Sequence, residues 1–171
     1  MLNILAPFSA RRRLIGQFYD QLVSRSREPV FYAGLGVPDS LDGRFDLLVL
    51  HAFLLLERLQ QTGDRALSQG LTDTLFIGLD EALRDMGAGD MGMGRKIKKM
   101  ANAFYGRAKA YGEAGDEAAL ADAILRNIYR SESGHEKAAT ILAAYVVSAR
   151  AHLAQTDIRA GTADFGPLPQ V

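Results

Sequence analysis

The sequence predicts an all-α protein: a single-domain bundle of six or seven helices around a central, nearly all-apolar helix. Three observations predict it. Ala and Leu dominate the 171 residues, and both favour helix over strand. Leu67, Leu71, Leu75, Leu79 and Leu83 step by four, the spacing of one helical face. Phe45 to Leu56, FDLLVLHAFLLL, is apolar at ten of twelve positions. That run is long for a strand and short for a bilayer span, so it reads as a helix buried on all sides.

The elements follow in order. Ser9 is the expected N-cap of a first helix to about Arg25, with Leu14, Phe18 and Leu22 as its apolar stripe. Pro29 ends that run and opens a short helical turn through Phe31 and Tyr32. Residues 33–43, AGLGVPDSLDG, read as a loop, and the buried helix follows. Gly63 separates it from a long helix, about Asp64 to Met86, which carries the leucine stripe. A corner containing Gly87, Gly89, Gly92 and Gly94 leads into a helix from about Arg95 to Tyr111, with Ile97, Ala101, Phe104 and Ala108 inward. Gly112 and Gly115 break the chain. Asp116 is positioned to cap a helix through Tyr129, and a last helix runs from about Glu136 to Arg159. Residues 160–171 are expected as a loose tail or as a strap laid on the body. No repeat or interdomain linker is visible.

Composition removes several function classes. The net charge is zero, so no global field draws nucleic acid or membrane, and any such pull must come from a local patch. The absence of cysteine removes disulfides, thiolate catalysis and cysteine-based metal sites. The start, MLNILAPFSARRR, has its apolar run before Arg11, Arg12 and Arg13, the reverse of a secretory signal. Residues 1–13 are open to two readings: a lipid contact or a frayed terminus.

Charge is divided around the glycine corner. Residues 64–90 hold six acids (Asp64, Asp73, Asp80, Glu81, Asp85, Asp90) against Arg65 and Arg84. Residues 95–112 hold six bases (Arg95, Lys96, Lys98, Lys99, Arg107, Lys109) and no acid. The division fits either two helices that attract each other or a docking surface for a partner. Lys98 and Lys99 cannot both point inward with Ile97, so part of the basic set is exposed.

The letters of the corner also match phosphate-binding motifs, but the context does not. Gly87-x-Gly89-x-x-Gly92 needs a preceding strand, and here a helix precedes it. The Gly89–Gly94 spacing of a P-loop lacks the lysine and the hydroxyl that should follow, since Arg95 and Lys96 stand there. A small phosphate- or nucleotide-binding enzyme built on residues 87–96 is therefore the alternative reading. A basic RNA- or ribosome-binding module, with Phe104 and Tyr105 as stacking groups, is a third. Glu132-x-x-His135 is half of a carboxylate-bridged metal motif, but it stands alone in a Ser/Gly loop. His51 reads as a hydrogen-bonded core histidine and His152 is isolated. No catalytic, cofactor or metal residue is assigned.

Two blocks carry a family resemblance. FYAGLGVPDSLDGRFDLLVLHAFLLLERL covers Phe31 to Leu59, and LTDTLFIGLDEALRDMGAGDMGMGRKIKKMANAFYGRAKAY covers Leu71 to Tyr111. Over about residues 32–129 the chain resembles the ubiquinol-cytochrome c chaperone family, assembly factors for cytochrome b of the bc1 complex, and looks like a short bacterial member. Ser40, Asp46 and Ala88 are mild departures from the expected Thr, Glu and Val. The resemblance implies a noncatalytic helical protein that binds newly made cytochrome b. It further implies action in the cytoplasm, peripheral to the cytoplasmic face of the inner membrane, with the ribosome or a small partner subunit as further partners and no DNA. On this reading Asp80, Arg84, Asp90, Arg95, Lys96 and Lys99 are expected to contact the client. Gly36, Pro38, Asp39, Asp42, Gly43 and Arg44 are expected to build the loop, with Asp42 capping the buried helix and Arg44 pairing with a nearby acid.

Overall fold

The computed structural model of the chain describes residues 6–85 and 92–171. Among these, six α-helices and two short turns follow in order: α1 (Ala6–Ser26), a π-helical turn (Val30–Gly34), α2 (Leu41–Gln61), α3 (Arg65–Asp85), α4 (Met93–Gly112), α5 (Glu117–Asn127), α6 (Glu136–Gln155) and a 3-10 turn (Ile158–Ala160). No strand occurs among the described residues. Residues 1–5 lie outside them, as do Gly87, Gly89 and Asp90 of the glycine corner.

Helix α2 is the axis of the bundle. It packs against α1, α3, α4 and α6, and thirteen of its twenty-one residues are buried. Leu47, Leu50, Leu55 and Leu59 are completely sealed from solvent. Burying each such leucine contributes about 2 kcal/mol before conformational entropy is counted. The remaining helices close the shell: α1 lies along α3, and α5 along α4 and α6. The leucine stripe of α3 is buried at all five positions, so the period of four in the sequence is the period of the packing.

The local start and stop signals differ in places from the sequence reading. Asp42 does not cap α2. Ser40 takes that place, its hydroxyl accepting from the Gly43 N–H at 3.2 Å, while Asp42 sits exposed in the first turn. There its charge faces the positive end of the helix dipole instead of an orphan N–H. Ser9 lies inside α1, not at its cap, because the helix already runs from Ala6. The turn after Pro29 is wider than an ordinary helical turn, with Leu35 N–H bonding to Val30 C=O at 2.9 Å. Asp64 and Asp116 cap α3 and α5 by accepting from Leu67 and Ala119 N–H. Helix α6 stops at Gln155, four residues early, where Thr156 turns extended and Asp157 caps the 3-10 turn.

Residues 160–171 are held as a strap, which corrects the expectation of a loose tail. Ala163 and Phe165 are buried in the core. On α1, Gln21 accepts from Ala163 N–H and donates to Gly161 C=O, both at 2.8 Å. Arg25 donates to the carbonyls of Gly166 and Pro167 at 2.7 and 3.0 Å. The strap stays because its two apolar anchors are buried and four of its backbone groups are satisfied by α1.

One glycine in the loop before α2 is fixed by space. A side-chain carbon at Gly43 would collide with the Pro38 backbone carbonyl, which cannot swing aside as a side chain could. Gly43→Ala is therefore expected to destabilise the fold by about 2 kcal/mol in denaturant unfolding. An unchanged midpoint would show that the loop yields.

Candidate functional site

Two regions hold the residues singled out by the sequence. The first is the loop before α2. Gly36 takes φ +69, a conformation that favours glycine, and the His135 ring lies 3.4 Å from where its side chain would begin. Pro38 is exposed, and Val37 beside it is buried. Asp39 accepts from Arg44 Nε at 2.7 Å, with both side chains 59% exposed. The arginine and its hydrogen bond hold the Asp39 carboxyl below its usual range. Ser40, Asp42 and Gly43 form the helix start already described. These residues shape the entry to α2, and His135 braces them by stacking on Tyr129 at 4.6 Å. Tyr129 in turn donates to Leu35 C=O at 2.9 Å.

The second region is the end of α3 and the start of α4. Asp80 accepts from Arg84 Nε at 2.7 Å, one turn apart on α3. Asp90 lies outside the described residues. Arg95, Lys96, Lys98 and Lys99 are all exposed on the first turns of α4. Among the described residues, none of these four bases has a carboxylate in ion-pair reach, and no ion pair joins α3 to α4. The acids of α3 therefore do not neutralise the bases of α4 there. The structure brings Arg95, Lys96 and Lys99 together, and Asp80 with Arg84.

Helix α4 is suited to display. Only Met93, Phe104 and Tyr111 of its twenty residues are buried. Phe104 packs edge-on against Phe76 of α3 at 5.4 Å, which removes it as a stacking platform, while Tyr105 beside it remains 56% exposed.

Beneath these surfaces lie two buried polar joints that the sequence reading did not assemble. Asp46 of α2 is fully buried between two arginines. Its Oδ2 accepts from Arg130 at 2.7 Å. Its Oδ1 lies 2.8 Å from Arg107 Nε, an ion-pair contact in which the N–H is not aligned on the oxygen. Burial pushes the Asp46 carboxyl up, against the pull of Arg107 and Arg130. Arg107 also lies over the Phe45 ring at 5.6 Å. Arg130 sits at φ +56, a left-handed conformation that costs a non-glycine residue about 1 kcal/mol. It also donates to Asn127 C=O, so that turn is spent on placing its guanidinium.

The second joint is His51. Its Nδ1 is 2.8 Å from Leu47 C=O, and a carbonyl can only accept, so Nδ1 carries the proton. Nε2 then accepts from the Tyr145 hydroxyl at 2.9 Å, and that hydroxyl accepts from Arg25 Nε at 2.9 Å. Arg25 is the residue that clamps the strap, so one chain of hydrogen bonds links α2, α6, α1 and residues 166–167. Phe31 and Phe165 seal the imidazole edge-on. Burial lowers its pKa to about 4, which keeps it neutral. The signal for both joints was present: Asp46 and His51 are the two polar residues of the otherwise apolar run. Their partners were not readable, because they lie far away in the chain.

Among the described residues no group of three or more His, Asp or Glu gathers as a metal site. His135 of the Glu132-x-x-His135 pattern is engaged with Tyr129, as above. The element preceding the glycine corner is helix α3, so the corner lacks the strand that a phosphate loop requires. No helix among the described residues is long and apolar enough to cross a membrane.

Comparison with known proteins places this geometry. A family model described as "Ubiquinol-cytochrome C chaperone" matches residues 33–163. The crystal structure of the Cbp3 homolog from Brucella abortus is similar over 91% of this chain and 89% of that chain, at 36% identity and a TM-score of 0.79. No curated protein matches.

Two outcomes test the buried joints. Asp46→Asn keeps the shape and removes the charge that Arg107 and Arg130 face, and is expected to cost about 3 kcal/mol in denaturant unfolding. His51 has a folded pKa of about 4 against an ordinary 6.5. Between those values the unfolded chain binds the proton and the folded chain does not, so His51 makes stability rise with pH and fall on acidification. The Asp46 shift has the opposite sign and is common to both chains when wild type is compared with His51→Gln. Over that window the variant is expected to lose about 3 kcal/mol less than wild type in unfolding titrations. Parallel pH profiles would remove His51 from the account.

Proposed function

The chain belongs to the ubiquinol-cytochrome c chaperone family, and from that premise we propose that it binds newly made cytochrome b and holds it ready for assembly into the bc1 complex. It does so without catalytic turnover, cofactor or metal, in the cytoplasm at the inner membrane surface. The observation that carries the reading is the extent of the match: residues 33–163 run from the turn before α2 into the strap, so the likeness covers five of the six helices. The 36% identity with the Cbp3 homolog over nearly the whole chain supports the same reading.

The client surface is the corner formed by Asp80 and Arg84 of α3 with Arg95, Lys96 and Lys99 of α4, together with Asp90. Two features support this choice. Arg95, Lys96 and Lys99 are exposed and have no described acid in ion-pair reach. They are also mounted on a helix whose inward anchors fix its position without using its outer face. A client segment with acidic loops gains long-range attraction from such a surface, and the rigid bundle behind it needs little reorganisation on binding. The loop from Gly36 to Arg44 serves architecture, since its contacts are spent on positioning α2.

Deletion of the gene in its native organism is expected to lower haem b absorbance and assembled bc1 complex in the membranes. Re-expression of wild type restores both. A Lys96→Glu, Lys99→Glu chain is expected to fold normally yet to restore less, and to retain several-fold less cytochrome b in a pull-down. Normal bc1 levels after deletion would refute the assembly role. Undiminished capture by the double variant would move the client surface elsewhere.

A further inference from the structure

We propose that the outward stripe of α4 docks on an anionic lipid bilayer. The proposal rests on the assembly reading only for the reason the protein would be near a membrane; the stripe itself is read from the structure. Arg95, Lys98, Asn102, Tyr105 and Lys109 recur at three and four residues and so share one face of the helix. All five are exposed. This face stands beside Lys96 and Lys99 and continues away from them, two further turns down α4.

Three properties of the stripe fit a bilayer surface. It contains no acid: none occurs from Met93 to Gly112. Glu113 reaches Lys109 only at 3.8 Å with both side chains about 70% exposed, a contact too solvated to neutralise it. Bases at an anionic leaflet each add attraction that falls off within a Debye length, so a chain with zero net charge can still be drawn at one face. Tyr105, 56% exposed, adds a ring with a polar tip, the side-chain type that settles at headgroup depth. Lastly, Met93, Phe104 and Tyr111 hold the helix from the inner side, so the stripe is presented by a fixed element.

Nucleic acid fits the same stripe less well. It offers one stacking ring, because Phe104 is buried. The stripe carries three bases, Arg95, Lys98 and Lys109, on a chain whose net charge is zero, where a nucleic-acid module is strongly basic.

The test is co-sedimentation of the full chain with vesicles made of equal parts phosphatidylglycerol and phosphatidylcholine, against phosphatidylcholine alone. Binding is expected to the anionic vesicles only and to weaken with added salt. The variant Lys98→Glu, Tyr105→Ser is expected to partition at least about tenfold less while keeping the wild-type helicity and thermal midpoint. Equal binding to neutral vesicles overturns the proposal, as does anionic binding that survives both substitutions. So does release of the chain from vesicles by RNA or by an acidic peptide at lower charge concentration than the lipid. The assay contains no cytochrome b, so its failure leaves the assembly reading standing, and a failure of client capture leaves the vesicle result standing.

Discussion

The structure depends on a single demand made by α2. A helix buried on nearly every side must surround itself with apolar neighbours, and this one also carries Asp46 and His51 into the interior. A buried carboxylate and a buried imidazole without partners would each cost several kcal/mol. Partners therefore have to arrive from outside the helix, and they arrive from four directions. Arg107 comes from α4 and Arg130 from the turn after α5, both to Asp46. Tyr145 comes from α6, and Arg25 of α1 reaches it. Leucines alone would let these helices slide or rotate about α2 with little penalty; a carboxylate that needs two arginines does not. A buried ion pair adds little net stability over a good apolar packing, so the value of the Asp46 joint lies in register.

Both joints also reach the surface and set what is displayed there. Arg107 lies on α4 three turns beyond Lys96, so anchoring Arg107 at Asp46 fixes the rotation of the helix that carries the exposed bases. In the His51 joint, Arg25 answers Tyr145 and the strap carbonyls together. The strap is thereby part of the network around His51 and not an appendage, and Phe165 closes the imidazole from water.

How much of this the chain announces depends on the range of the interaction involved. The leucines of α3 and the apolar run of α2 announce themselves, because periodicity is local and the fold simply keeps it. The glycine breaks and the cap at Asp116 are local too. The cap of α2 was harder: Asp42 suits one, but the chain places Ser40 where its hydroxyl meets the Gly43 N–H. The strap was ambiguous because its partners, Gln21 and Arg25, lie some 140 residues away in the chain. For the same reason Asp46 was visible as an oddity in an apolar helix, while Arg130 had no sequence signal beyond being an arginine in a Ser/Gly-rich turn. Of the corner residues, charge division was readable as a pattern. That the described bases of α4 go unanswered by α3 was a matter of distance, which a pattern does not contain.

The division of labour between α2 and α4 follows from that last point. Where acids and bases on adjacent helices pair, their charges are spent on each other and the surface becomes ordinary. Here Asp80 keeps to its own helix by pairing with Arg84, and Arg95, Lys96, Lys98 and Lys99 of α4 face solvent. Self-repulsion among Arg95, Lys96, Lys98 and Lys99 makes that arrangement mildly costly for an isolated helix. The cost is tolerable because α4 is not isolated: Phe104, Tyr111 and the Asp46 contact of Arg107 hold it from within. An interior fixed by long-range polar contacts is thus what allows one helix to carry an unneutralised face, and such a face is of use only to something that approaches from outside.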